Sequence, residues 1–421
     1  MKIIDITEFY SERGGGIRSH LTTRGHVLCQ LGHDHLVIAP GPRDDESTLC
    51  ERGESDASGA PADDTTGRSE GGHERGRARV IRLAGPELPY DPTYHLLARF
   101  GTIRRIVRRE RPDVLEAHSP YLAAAAIVAC GRAAARTRTS FWHADHLGAY
   151  VQPALARVVG RRASHTLTRP LWAGVTALLH PFDATFVAGV SQTQRLQTAG
   201  VRNVVRTPFG VDSRTFHPGA RSAERRRELA GDAAGPLLVG VGRFAIEKRW
   251  DIVLDAFARV QIDRLRQGRL PAVLVLFGDG PERTRLEQRA PASVRFVGFE
   301  KDRRSLASAL ASADLLVHGS PYETFGLGVA EGVACGLPVV VPDEGGAAES
   351  ADPSCSETYR SLDPAACARG IERLLARDPS ELRAMALEAA ARVPTVAQHF
   401  GRVLAEYGAL LDLHGKGRPV C

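Results

Sequence analysis

The sequence has no Cys-x-x-Cys pair, no Gly-x-Gly-x-x-Gly fingerprint, no Asp-x-Asp motif and no apolar run long enough to span a membrane. Each absence excludes something. A membrane-spanning helix needs about 18 or more apolar residues in a row, so none is expected. The chain opens on the strand-like run Lys2–Ile6 rather than on a basic start followed by a long apolar region, so no secretory signal is read there. Its seven cysteines, Cys29, Cys50, Cys130, Cys335, Cys355, Cys367 and Cys421, are scattered and odd in number. In a chain of this size that predicts reduced thiols and a cytoplasmic protein. The missing dinucleotide fingerprint, with no acid ending the second strand to hold a ribose, argues against an oxidoreductase. The histidine pairs His33/His35 and His143/His146 have no cysteine or carboxylate beside them in the pattern of a metal site, so no metal is expected.

The net charge of +6 and pI near 9.1 are mildly basic. That suits phosphates, anionic nucleotides or an anionic membrane surface. With no nucleic-acid motif present, no nucleic-acid partner is expected. At 421 residues the chain exceeds what one core usually serves, so two domains are the starting expectation.

Short apolar runs alternate with helical patterns along most of the chain, which predicts parallel sheets covered on both faces. Strands are read at Lys2–Ile6, His35–Ala39, Val80–Leu83, Val114–Ala117, Thr139–Trp142 and Thr185–Val190, with helices at Ile17–Leu31 and Leu96–Arg109 among those between them. The turn-rich stretch Thr207–Pro218 then separates a second series: strands at Leu237–Val241, Ala272–Phe277, Val294–Val297, Leu315–His318 and Pro338–Val341. This gives an α/β protein of two doubly wound, Rossmann-like domains facing each other across a cleft. The first spans 1–207 and the second 208–395. A final helix within 396–421 is expected to pack back across the boundary. Residues Gly41–Arg79 are rich in Gly, Asp, Glu, Ser and Arg, and are read as a disordered surface insertion.

Ligands of doubly wound sheets bind at the carboxyl ends of strands, in the loops leading to helices. Three such loops carry chemistry. Ser11-Glu12-Arg13-Gly14-Gly15-Gly16 follows the first strand and opens a helix, where backbone N–H groups and the helix dipole favour an anion; a plain flexible turn is the alternative. Arg243 and Lys248 share the loop after Leu237–Val241, a pair of cations suited to a diphosphate, or else a solvated basic loop. In Pro321–Glu331, Glu323 lies in the loop and Glu331 two turns into the following helix among apolar neighbours. A carboxylate there needs hydroxyl partners, which a ribose diol supplies; a structural glutamate is the alternative.

These loops, with Gly278-Asp279-Gly280-Pro281, occur in order along nearly the whole chain outside 41–79, and the ordered set resembles the retaining glycosyltransferases of the GT-B fold, family-4 type. The nearest look is that of bacterial mannosyltransferases acting on phosphatidylinositol mannosides. The resemblance implies that Gly15 and Gly16 approach the donor phosphates. It implies that Arg243 and Lys248 stabilise the departing diphosphate and that Glu323 holds hydroxyls of the transferred sugar. Phe325, Gly326 and Leu327 would position sugar and phosphate through backbone amides, Glu331 would bind the ribose, and Val297 and Gly298 would lie against the base. His143 matches the family's active-site histidine, with His118 lining the site. The implied reaction moves a hexose, mannose favoured, from GDP-mannose or a UDP-sugar onto a glycan or lipid-linked acceptor with retention of configuration, without a cofactor or metal. A nucleotide-sugar epimerase or hydrolase, and a non-catalytic nucleotide-sugar-binding protein, are the other readings. The arginine-rich helix Leu96–Arg109 reads first as an ordinary sheet-packed helix with a solvated basic face. With the basic, partly apolar Leu155–Leu179 it also suggests peripheral contact at the inner face of the plasma membrane.

Overall fold

A computed structural model describes residues 1–10, 16–50, 76–88, 91–231 and 235–416. Its first sheet is built from β1 (Lys2–Ile6), β2 (Asp34–Gly41), β3 (Asp45–Cys50) and β4 (Ala78–Ala84). A small hairpin, β5 (Glu87–Leu88) and β6 (Asp91–His95), stands apart, and the sheet resumes with β7 (Val114–Ala117), β8 (Thr137–Trp142), β9 (Ala184–Val187) and β10 (Val204–Arg206). The spatial order is β10-β9-β8-β7-β1-β2-β4-β3. All pairings are parallel except β3 with β4. The second sheet comprises β11 (Leu237–Val241), β12 (Val273–Phe277), β13 (Val294–Gly298), β14 (Leu315–Val317), β15 (Val339–Pro342) and β16 (Ser356–Tyr359), all parallel, in the order β13-β12-β11-β14-β15-β16. The central strands are buried on both faces, which is why they read as continuous apolar runs.

The strand order reverses once in each sheet: between β1 and β7 in the first, and between β11 and β14 in the second. At such a point neighbouring loops leave the sheet in opposite directions and open a crevice at the strand ends. The start of the helix Gly16–Gln30 and the loop carrying His118 flank one crevice. The loops carrying Arg243/Lys248 and Glu323 flank the other.

The chain crosses between the sheets twice, and the crossings run side by side. Val211 N–H donates to Pro394 O (2.8 Å) and Val396 N–H donates to Val211 O (3.1 Å). Gly210 leaves no room for a side chain, since a Cβ there would sit 2.1 Å from Thr395 O. The helix Val396–Lys416 then lies on the first sheet: Val403, Tyr407 and Leu411 pack with Ile3, Leu28, Val114, Phe141 and Phe186.

Two expectations are corrected. The segment 41–79 is ordered at both ends: residues 45–50 form an edge strand antiparallel to β4, and 78–79 belong to β4 itself. Asp45 pairs with Arg82 (2.9 Å) and Glu46 with Arg79 (2.7 Å), so the charged composition that reads as unstructured is that of a charge-paired edge strand. The remainder, 51–75, lies outside the described residues. The cysteines are not all thiols: the return of β3 brings Cys50 onto the Gly16–Gln30 helix, where it is disulfide-bonded to Cys29, while Cys130, Cys335, Cys355 and Cys367 are free and buried. Cys421 lies outside the described residues. Boundaries also shift: β9 ends at Val187 and a helix begins at Val190, and the predicted Leu96–Arg109 helix begins only at Phe100. In that helix Ile103 and Val107 are buried while Arg104, Arg105, Arg108 and Arg109 are exposed, so it packs on the sheet with a basic outer face.

Candidate active site

In the second domain, β11 ends in a tight loop. Gly278 is forced by close backbone approach: a Cβ there would lie 2.0 Å from Gly242 O. Trp250 fills the space under Gly240 and donates from its indole to Arg243 O (2.9 Å), fixing the start of the loop. The chain turns through Ile246–Lys248 and a left-handed Arg249 (φ 51°) into the helix Trp250–Arg266. That geometry directs Lys248 across to the loop after β14, where its ammonium donates to Glu323. His318 Nε2 lies 3.3 Å from the same carboxylate oxygen. Burial pushes the Glu323 carboxyl up, but Lys248 and then His318 outweigh it and hold it well below the usual carboxylate range. Burial opposes the Lys248 charge, and Glu323 more than restores it. Both groups are charged at neutral pH.

Glu323 leads into Phe325, Gly326 and the helix Leu327–Ala334. Gly326 is left-handed (φ 80°) and abuts Ala347, while a Cβ on Gly346 would lie 2.4 Å from the Phe325 backbone. Glycine is required at both positions, which packs the turn before the helix against the Gly346–Ser350 helix. Glu331 is buried on that helix, as its apolar surroundings suggest, but its partner is a residue the sequence reading missed. Arg303 Nη2 donates to Glu331 Oε1 (2.5 Å) and stacks 4.5 Å above the Phe216 ring. Burial raises the Glu331 carboxyl and Arg303 only partly offsets it. Arg303 is half exposed and opens the helix Arg303–Ser312, so no pattern in the sequence marked it. Val297 and Gly298 end β13; Val297 is exposed, and Gly298 N-terminal to exposed Phe299 accepts from Gly278 N–H (2.8 Å).

In the first domain, Gly16 begins the helix Gly16–Gln30 with open space where a side chain would be. Gly15 lies outside the described residues. His143, after β8, is half-buried at the cleft. His118 does not line the open cleft: it is fully buried behind His143, with Nδ1 2.7 Å from His143 Nε2. It is fixed by a charged cluster at the β1–β7 switch. Asp5 on β1 and Glu116 on β7 are register partners, and both pair with buried Arg24. Tyr407, from the returning helix, donates to Glu116 Oε2 (2.7 Å) and accepts from Arg24 Nη2 (2.6 Å). His20, also missed from the sequence, stands beside His118 and His143.

The two half-sites meet. Thr324, next to Glu323, donates from Oγ1 to His143 O (2.6 Å). Phe209 packs edge-on against Phe325 and stacks on His143. Glu349 accepts from the backbone N–H groups of Val190 and Ser191 at the start of the helix Val190–Thr198, joining the second domain to the first. Lys248, Glu323, Thr324, Phe325 and His143 thus stand together where the two domains meet.

This two-domain arrangement is found in solved glycosyltransferases. The model for the Glycosyltransferase Family 4 domain matches residues 14–215, and that for Glycosyl transferases group 1 matches 235–377. The chain belongs to the family-4 glycosyltransferases of the GT-B fold. It is 29% identical over 97% of both chains to a GDP-mannose-dependent alpha-(1-6)-phosphatidylinositol dimannoside mannosyltransferase of Mycobacterium tuberculosis. It is 25% identical to a GDP-mannose-dependent alpha-mannosyltransferase of Corynebacterium glutamicum, over 82% of this chain and 73% of the relative. Among solved structures, sucrose-phosphate synthase of Thermosynechococcus elongatus superposes with a TM-score of 0.69 at 19% identity, over 97% of this chain and all of the other. HepE of Anabaena, in complex with UDP-glucose, superposes with a TM-score of 0.68 at 17% identity and the same coverage. The expected fold and family are those found. Among the described residues, no helix is long and apolar enough to cross a membrane.

Proposed function

We propose that this glycosyltransferase moves mannose from GDP-mannose to a glycan or lipid-linked acceptor with retention of configuration. The observation that carries the reading is the meeting of the Lys248–Glu323 pair with the His143 loop across the cleft, in a chain similar over 97% and 82% of its length to two mannosyltransferases named as GDP-mannose-dependent.

In this reading Arg243 and Lys248 compensate the charge that grows on the diphosphate as the glycosidic bond breaks, aided by the N-terminus of the Leu327–Ala334 helix. The amides of Phe325, Gly326 and Leu327 and the opening of the helix at Gly16 hold donor oxygens, with Gly15 beside it. Glu323, kept ionised by Lys248, accepts from sugar hydroxyls. It is engaged by Lys248 and is not free to act as a nucleophile, which favours a same-face displacement in which the leaving phosphate takes the acceptor's proton. Glu331 receives the ribose hydroxyls as Arg303 swings aside, and Val297 and Gly298 border the base. The protein cations supply the charge that a metal supplies in other transferases, so the reaction calls for none.

A peripheral membrane contact fits a surface of the first domain. Val158 (85% exposed), Leu167 (55%) and Leu171 (48%) project beside exposed Arg157, Arg162 and Arg169. Exposed apolar and arginine side chains on one run of helices match an anionic bilayer surface, where a lipid acceptor resides.

The test is a thermal-shift panel of GDP, UDP and ADP with their sugar conjugates, followed by nuclear magnetic resonance of the first product. A ligand at a hundred times its dissociation constant stabilises by about 2.7 kcal/mol. Stabilisation by GDP and GDP-mannose and an α-configured product are expected. A response to UDP-sugars alone overturns the donor, an inverted product overturns the mechanism, and sugar release without acceptor points to a hydrolase.

A further inference from the structure

Three imidazoles from three separate elements converge at the carboxyl end of the first sheet. His20 comes from the Gly16–Gln30 helix, His118 from the loop after β7 and His143 from the loop after β8. One ring nitrogen of each lies within 4.8 Å of the others. The ring centroids are 5.0 Å apart for His20–His143 and His118–His143, and 5.9 Å for His20–His118. Nε2 of His20 is buried and has no hydrogen-bond partner. Phe141, Phe209 and Phe400 pack around the group, and His399, whose Nδ1 faces Pro208 O at 2.9 Å, stands 5.5 Å from His20 between ring centroids.

The chemistry behind His118 sets its tautomer. Its Nε2 faces Asp5 Oδ2 and Glu116 Oε1, each at 3.3 Å, in ion-pair rather than well-aligned hydrogen-bond geometry. A hydrogen on Nε2 answers both carboxylates. The Nδ1 lone pair is then turned toward His143 Nε2, 2.7 Å away, and two nitrogens this close must share a proton or a cation. Asp5 and Glu116 are both paired to the single guanidinium of Arg24 and both face His118 from behind. A carboxylate-backed histidine with two further imidazoles in reach is the arrangement in which outer carboxylates orient and strengthen metal-ligating histidines.

We propose that His20, His118 and His143 bind one divalent transition-metal ion of the Zn2+ class, with the fourth position open to the cleft, and that the bound ion reversibly inhibits transfer. Tetrahedral Zn2+ holds imidazole nitrogens at about 2.0–2.1 Å, which sets neighbouring ligand nitrogens roughly 3.3 Å apart. His118 and His143 reach that spacing by separating a few tenths of an ångström. An all-imidazole set favours Zn2+, Co2+, Ni2+ or Cu2+ over Mg2+ or Ca2+. Inhibition follows because the ion holds His143 through Nε2, on the side of buried His118, and fixes the orientation of its ring; this part rests on the proposed role of His143, whereas metal binding does not.

The test uses the full-length chain stripped with chelator and titrated with Co2+ alone, read by its visible absorbance, then displaced by Zn2+, with Mg2+ as control. One Co2+ per chain with the spectrum of a tetrahedral nitrogen site is expected. Affinity should fall at least tenfold in His20→Gln and in His118→Gln, and stay unchanged in His33→Gln, whose side chain lies against the amino terminus instead. Melting curves establish that each variant is folded, and His20→Gln carries the test should His118→Gln unfold. No saturable Co2+ uptake by the wild type, or equal uptake by His20→Gln, overturns the site. Zn2+ should also suppress sugar transfer in the wild type at least tenfold, with recovery on chelation. Stoichiometric binding that leaves transfer unchanged overturns the inhibitory role. Failure of the GDP-mannose reading shows separately, as loss of the GDP response in the metal-free protein.

Discussion

Replacing Lys248 by Met and Glu323 by Gln, singly and together, tests the centre of the site. The pair is mostly shielded, with side-chain exposures of 23% and 18%, and His318 supports the same carboxylate at 3.3 Å. Removing one partner of a fully buried pair costs about 3–5 kcal/mol. Residual solvent and His318 reduce that here to about 2–3 kcal/mol for Lys248→Met. Glu323→Gln keeps the shape but leaves the ammonium without its counter-charge, at about 1–2 kcal/mol. Because each single change already breaks the contact, the double variant should be less destabilised than the sum, with a coupling energy of about 1–2 kcal/mol. Urea unfolding of the four proteins at constant slope measures this. The sign with pH follows from the shifts. The depressed Glu323 contributes stability that is present above about pH 4.3, its unfolded value, and fades as the pH falls toward the lower folded value. The raised Lys248 contributes stability that is complete below about pH 10.4 and is lost as the pH rises through its folded value. The coupling should therefore be flat from about pH 5 to 10 and decline on the acid side. If Lys248 stabilises charge on the leaving diphosphate, Lys248→Met should also lower kcat by about 10²–10³. Additive stabilities within about 0.3 kcal/mol, or a coupling that grows on acidification, refute the electrostatic account.

Glu331→Ala should weaken GDP binding by about 10–100-fold, or 1.4–2.8 kcal/mol, by calorimetry, with little loss of folding stability because its partner Arg303 is half exposed and rehydrates. Tyr407→Phe removes two hydrogen bonds to buried charged groups and should cost about 2–3 kcal/mol in urea unfolding; a loss under 0.5 kcal/mol would show that the returning helix is not tied to the Arg24–Glu116 cluster. Glu349→Ala frees two N–H groups at the start of the Val190–Thr198 helix, and small-angle scattering should report a wider cleft, with a raised donor KM. Reducing the Cys29–Cys50 bridge, which spans 21 positions, should lower stability by about 3 kcal/mol in the same unfolding assay.

Much of the site is visible in the sequence because glycines and charges stand where the apolar runs end. Lys248 and Glu323 are 75 positions apart in sequence, yet each follows a strand, and strand ends are where doubly wound sheets place ligands. Arg303, His20 and Tyr407 escaped notice for the converse reason. Each sits on a helix whose amphipathic pattern explains it as surface or core, and nothing local states that its side chain meets a carboxylate or an imidazole from another element. The stretch 41–50 misled because composition records charge without partners: Asp45 and Glu46 look like solvent-exposed residues until β4 supplies Arg82 and Arg79.

By itself the sequence determined the alternation of strand and helix, the two largely parallel sheets and the order of the glycine- and charge-bearing loops, because periodicity, glycine and strand-end position are local properties of the chain. Only the tertiary structure decided which charges face each other. It closed Cys29 onto Cys50, gave Glu331 to Arg303, set His118 behind His143 and drew Tyr407 across to Glu116. Pairings of this kind depend on strand order and on the return of the last helix, and the energy of a buried charge depends on the partner that the fold brings within about 4 Å.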